Sequence, residues 1–189
     1  ARYCLGNLAD FDPNKDMVSA EALEELDKWA LTKLDGLIKA CRKSYNGYEF
    51  HMVSHAINDF CVVELSSFYL DIIKDRLYCG GDAERASAQT ALYLILDGMT
   101  RMIAPILAFT SQEIWTAMPH ADKDDAECVL FNDIPDWTAE LALSEEQADK
   151  WNRVIALRDD VNKALELARS EQGIKKNQDA DLTLSFTAD

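Results

Sequence analysis

Glycine and proline are scarce, at seven and four in 189 residues. With so few turn formers and breakers, and with apolar residues at 48 %, the chain is neither loop-rich nor disordered, and it is long enough to bury a real core. No run of about 18 apolar residues is free of charge, which excludes a transmembrane helix. The start, ARYCLGNLADFDP, has no extended apolar stretch followed by a small-residue cleavage site, so it does not read as a signal peptide. It also begins without Met, as expected of a chain that starts inside something longer.

C-x-x-C pairs are absent. Cys4, Cys41, Cys61, Cys79 and Cys128 are scattered and odd in number, which argues against a disulfide framework or a thiolate zinc site and for a reduced intracellular compartment. Cys41 and Cys61 lie on apolar stripes and are expected as small core residues. No G-x-x-x-x-G-K-[ST] or G-x-G-x-x-G phosphate cradle occurs, nor a G-x-S-x-G elbow. His51 and His55 are four apart with Asp59 a turn further on, a geometry zinc could use. Met52, however, stands where a metalloprotease carries its Glu, and no metal is assigned. Asp124-Asp125 and Asp159-Asp160 read as solvated carboxylates, and no active site is expected.

Bases are outnumbered, 19 to 34, for a formal charge of −15. That balance disfavours nucleic acid, whose phosphates are bound by Lys and Arg, but the acidity is local. Residues 120 to 149 hold ten acids and one base, and residues 1 to 27 hold seven acids and two bases; 28 to 119 and 150 to 189 are nearly neutral. Lys28, Lys33, Lys39, Arg42 and Lys43 face the single acid Asp35 between them. Such a run is usually a solvated helix face, yet it is the best anion-facing stretch in the chain.

The periodicity predicts long helices. Leu23, Leu26, Ala30, Leu34, Leu37 and Cys41 recur at three- and four-residue steps over 21 to 46, with Gly47 as the stop. A second helix is expected from 49 to 78, ending at Gly80-Gly81. A third runs from 83 to 107 with Ala88, Leu92, Ile95, Met99, Met102 and Ile106 on its apolar side, its last turn broken by Pro105. Thr110 and Glu113 read as a capping box for a short helix before Pro119, and Ser144 and Gln147 as another for a helix over 145 to 171. Between them, 119 to 143 is an acidic connector. Leu182, Leu184 and Phe186 alternate as one strand, which cannot pair itself.

Within the second helix, SSFYLDIIKDRLY is apolar on more than one side. The reading is a central bundle helix, with Ser66 and Ser67 letting a neighbouring backbone approach, Asp71 pairing with Lys74, and Asp75 and Arg76 reaching outward at the end.

Longer segments go further than periodicity. ARYCLGNLADFDP, LDKWAL, YEFHMVSHAINDFCVVELSSFYLDIIKDRLYC, RASAQT and MIAPILAFTSQEIW, in this order, resemble the anticodon-binding domain of bacterial isoleucyl-tRNA synthetases over residues 1 to about 171. The valine and leucine enzymes carry an equivalent domain and are the nearest alternatives. Segments like His-Ile-Gly-His and Lys-Met-Ser-Lys-Ser, which hold ATP and the adenylate in class I enzymes, are not in the chain, nor is the cysteine-rich zinc module that many bacterial isoleucine enzymes carry.

The resemblance implies an all-α antiparallel helix bundle over 1–171, with 172–189 as the start of a junction segment containing the short strand. It implies recognition and not catalysis: the bundle docks isoleucine tRNA and helps read its anticodon. ATP, magnesium and any zinc belong to other parts of a cytoplasmic, monomeric ligase, whose catalytic and C-terminal domains are the partners in the same chain; no membrane and no DNA are involved. Bases are read by edge hydrogen bonds and stacking, phosphates by Lys and Arg. The candidate contacts are Arg2 and Asn7, then Lys39, Arg42 and Lys43, and Arg76; for each, a solvated or intramolecular pair is the alternative. Trp29, Trp115 and Trp151 are either stacking platforms or packing residues. A reading of another class remains: a helical interaction domain with no RNA role, binding a basic protein through the connector.

Overall fold

In the computed structural model, which describes residues 1–174, 176 and 179–185, the stripe over 21 to 46 folds as α2, Glu25–Asn46, after a short α1, Arg2–Asn7. Leu23, Ala30, Leu34, Leu37 and Cys41 are buried as expected. Residues 21 to 24 stay outside the helix because Glu24 N–H is engaged elsewhere, donating to Ser87 Oγ at 2.8 Å. Glu25 and Asp27 in the first turn favour the positive end of the helix dipole.

The second helix has the expected extent but another winding. α3, Phe50–Asp59, passes into a π-helical stretch, Phe60–Tyr69, then α4, Leu70–Ile72, a break at Ile73, and α5, Lys74–Cys79. A π turn brings together residues five apart, and Phe60 and Leu65 are both buried. Read at 3.6 residues per turn, the same apolar set falls around the whole circumference, which is why the stretch looked central. It is not: Val62, Val63 and Ile72 are exposed, as are Ser66 and Ser67. Asp71 and Lys74 pair as expected at 2.8 Å, whereas Arg76 turns inward.

The central helix is α6, Asp82–Ile103. Every residue from Ser87 to Gly98 is buried, and the small ones, Ser87, Ala88, Thr90, Ala91 and Gly98, allow close packing. A Cβ added at Gly98 would already lie 3.6 Å from Leu34 of α2. α6 packs on α1, α2, α3, α5 and α7. It stops at Ile103, ahead of Pro105, as the missing amide dictates.

α7, Ala108–Ala117, begins two residues before Thr110, and its N-cap Leu107 makes no side-chain cap bond. The Thr110 capping box is not used, because a tight turn carries the chain over from α6: the amides of Ile106 and Leu107 both reach Ile103 O at 2.9 Å, and Ser111 N–H reaches Leu107 O at 2.9 Å.

The connector is a fastened strap and not a free linker. It contains two short 3-10 turns, Val129–Phe131 and Trp137–Leu141. Gln112 accepts from Val129 N–H at 3.1 Å and donates to Glu127 O at 2.8 Å. Trp115 Nε1 donates to Asp125 O at 3.0 Å, and Leu143 N–H donates to Thr32 Oγ1 at 2.8 Å.

The chain divides into two compact units, Ala1–Leu143 and Ser144–Asp189. The second is built on α8, Glu145–Gln172, which starts with the expected Ser144–Gln147 capping box and ends at Gly173 in the left-handed region, φ 71°. Among the described residues there is no strand: Leu182 to Ser185 are irregular, and Phe186 lies outside the described residues. A lone extended segment without a neighbour to pair with forms no ladder.

Candidate nucleic-acid interface

Helical spacing places Lys39, Arg42 and Lys43 on the last two turns of α2, where cations complement the helix dipole. All three are exposed. Lys39 Nζ pairs with Asp35 at 2.6 Å, an exposed contact of the kind worth at most about 1 kcal/mol. Arg42 Nη2 donates to the carbonyls of Ile134 and Pro135 at 2.6 and 3.1 Å, so its position is fixed by the strap. Lys33, earlier in the run, lies 5.7 Å from the Trp29 ring centre.

The other candidates lie elsewhere. Arg2 is exposed on α1. Asn7 is half-buried and engaged: its Nδ2 donates to Tyr3 O at 2.9 Å, and its carbonyl accepts from Gln89 at 2.8 Å. Arg76 is held by Asp27 through Nη1–Oδ2 at 2.8 Å and Nη2–Oδ1 at 2.7 Å. Asp27 is fully buried and also accepts from Tyr69 Oη at 2.7 Å and Ser87 Oγ at 2.6 Å. Burial pulls the Arg76 guanidinium down, but the hydrogen bonds and charge of Asp27 outweigh it, and the net shift is upward. Burial, then the Asp27 charge, holds the Tyr69 phenol well above its ordinary value, so it remains a donor. Asp27 and Lys43 are sixteen positions apart, about 24 Å along the helix. Arg76 therefore does not join the cluster at the end of α2.

A second buried network fastens the strap beside that cluster. Arg101 reaches Asp97 at 2.8 Å and Asp124 at 2.9 Å, with all three side chains nearly closed to solvent. Its guanidinium lies 5.0 Å from the Trp115 ring centre. Two carboxylates share one guanidinium. Burial, with Asp124 adding to it, pushes Asp97 up to about 6 against the opposing pull of Arg101.

That shift has a definite sign. The folded value lies above the unfolded one near 3.8, so the stability Asp97 contributes is fully present below about pH 3.8 and is lost as pH rises through 6. The difference is about 3 kcal/mol. In Asp97→Asn, urea midpoints measured from pH 4 to 7 should lose this fall; a slope equal to the wild type's would contradict the assignment.

An open cleft of about 790 Å³ lies beside the end of α2, bordered by Arg42, Tyr45, Asn46, Lys123 and Phe131 and, from the strap, by the acids Asp124, Asp133 and Asp136. Tyr45 Oη is tied to Met102 O at 2.6 Å, and burial pushes its phenol up to about 12. Asn46 and Lys123 are exposed, and Phe131 is 77 % exposed. Such a surface offers cations, an amide edge and aromatic faces, the groups that bind single-stranded nucleic acid. Sequence reasoning missed Asn46, Lys123 and Phe131. The available signal was the pair of tyrosines around Asn46-Gly47, directly after the basic run. Trp29 and Trp115 are buried core residues, and Trp151 is half-buried. Among the described residues, no group of three or more His, Cys, Asp or Glu side chains is placed to hold a metal, and no helix is long and apolar enough to cross a membrane.

Residues 27–184 match the family model of the anticodon-binding domain of tRNA ligase. The isoleucine–tRNA ligase of Syntrophotalea carbinolica is 48 % identical over 190 aligned positions, which cover 100 % of this chain and 20 % of that protein. Those of Caldanaerobacter subterraneus subsp. tengcongensis and Geobacter sulfurreducens are 46 % and 45 % identical, each over 97 % of this chain and 20 % of the relative. The chain thus spans about a fifth of the length of these relatives.

Proposed function

We propose, from the premise that this chain belongs to the family of anticodon-binding domains of tRNA ligases, that it is the tRNA-recognition part of a cytoplasmic isoleucine–tRNA ligase. The observation that carries the family is the match over residues 27–184. The isoleucine assignment rests on relatives of that name at 45 to 48 % identity across nearly the whole chain.

The helix bundle acts by binding. Lys39, Arg42 and Lys43 hold phosphates of an isoleucine tRNA, and the exposed groups around the cleft meet unstacked bases. Arg2 adds a cation on α1. Asn7 and Arg76 serve this surface indirectly, Asn7 by tying α1 to α6 and Arg76 by locking α5 to α2. Residues 1–171 form the recognition domain, and 172–189 lead into the next. ATP and magnesium do their chemistry in other domains of a monomeric parent enzyme.

The test uses the full-length protein and fluorescently labelled isoleucine tRNA, with a tRNA of unrelated anticodon in parallel, at low and near-physiological salt. Tighter binding of the isoleucine tRNA, weakening steeply with salt, is the expected result. Equal binding of the two would reduce the surface to backbone electrostatics and overturn anticodon recognition.

A further inference from the structure

The turn that closes α2 is built with the wrong residue in its strained position. Gly47, expected from the sequence as the stop, has an ordinary φ of −88°. The residue in the left-handed region is Tyr48, at φ 57°, and no other non-glycine among the described residues has a positive φ. Hydrogen bonds hold it there: Tyr48 N–H donates to Tyr45 O at 3.0 Å and Glu49 N–H to Ser44 O at 2.8 Å. These are the paired closing bonds of a helix end that ordinarily has glycine at its left-handed position. The Tyr48 side chain adds almost nothing to the core, since it is 81 % exposed. Backbone strain retained without packing in return indicates that the side chain has a use.

Its surroundings indicate which use. Tyr48 meets Phe50 in a T-shaped contact at 6.4 Å and 74°, and most of its ring stays open to solvent, since the residue is 81 % exposed. Phe50 in turn packs edge to face on Tyr45 at 5.9 Å, and Tyr45 is fastened to α6 through Met102. The row is rigid at its inner end and open at its outer end. Lys43 stands one turn away, its carbonyl accepting from Gly47 N–H at 3.1 Å, with Lys39 and Arg42 beside it on the helix and Glu49 as the local acid.

We propose that Tyr48, braced by Phe50, is a stacking platform for an unstacked base in a single-stranded loop of tRNA, with Lys43 and Lys39 holding the adjoining phosphates. Positive charge beside exposed aromatic rings suits single-stranded RNA, and the inference rests on the tRNA reading above. It carries an unusual signature. Glycine relieves the left-handed position, so Tyr48→Gly strengthens the fold while weakening the binding.

The test is made in the full-length protein with isoleucine tRNA and a truncated tRNA lacking the anticodon stem-loop. Tyr48→Gly should raise the melting temperature and weaken intact tRNA by about tenfold, the loss of one base–aromatic stack. It should leave the truncated tRNA unaffected, and Tyr48→Phe should retain wild-type binding. If the wild type binds intact tRNA and Tyr48→Gly binds it equally well, the platform is overturned while the tRNA reading stands. If the wild type binds neither RNA, both fall together. Equal weakening of both RNAs would mean general damage and would also overturn the platform.

Discussion

Replacing Asp27 by Ala should lower the unfolding free energy by about 3–5 kcal/mol, the cost of breaking a buried pair by removing one partner. The carboxylate is fully buried and has four donors, two from Arg76 and one each from Tyr69 and Ser87. Without it, a guanidinium only 18 % exposed keeps its charge and loses both bonds, and two hydroxyls lose their acceptor. The four residues come from α2, the π-helical stretch, α5 and α6, so the loss is felt throughout the bundle. Removing both charges at once, as Asp27→Leu with Arg76→Met, should recover most of the stability, because the large term is the stranded charge and not the worth of the pair. Urea unfolding followed by circular dichroism separates the cases. A single variant within about 1 kcal/mol of the wild type would refute the network's role.

The second large effect lies at Arg101. Changing it to Met leaves Asp97 and Asp124 buried together with no cation between them, and about 3–5 kcal/mol should again be lost at pH 7. Here the deficit depends on pH. Asp97 already titrates near 6, and without Arg101 its protonation is easier still, so the deficit should shrink as pH falls toward 5. The change should also loosen the strap, because Asp124 belongs to it, and with it the carbonyls of Ile134 and Pro135 that position Arg42. A deficit equal at pH 5 and pH 7 would contradict this account.

These networks mark where sequence reasoning reached its limit. The stripe of α2 was legible because its burial is one-sided, and Pro105 announced the end of α6 through its missing amide. Which helix is central was not legible. α6 carries Asp97, Gln89 and the buried hydroxyls of Ser87, Thr90 and Thr100, and only tertiary partners reveal that such polar residues can lie inside. The π winding of Phe60–Tyr69 removed the basis for a 3.6-residue reading, making a half-buried segment look buried on all sides.

The candidate site was legible in part. The basic run placed Lys39, Arg42 and Lys43 together on an exposed helix end, as the structure has them, because charge density is a local property. Arg76 was expected to reach outward, and its inward turn depends on an aspartate 49 residues earlier. Tyr48 was hidden behind Gly47, since glycine is the usual left-handed residue and the chain places it one position early.

The central claim is that the end of α2 faces tRNA, and Lys39→Glu with Lys43→Glu in the full-length protein tests it most directly. Neither lysine supports the core, so the fold should be retained. Titrated with isoleucine tRNA over a range of salt, the variant should bind at least about tenfold more weakly, and its plot of log affinity against log salt should be shallower by roughly 1.4–1.8, the share of two phosphate contacts. Wild-type affinity and slope would show that tRNA does not meet this surface.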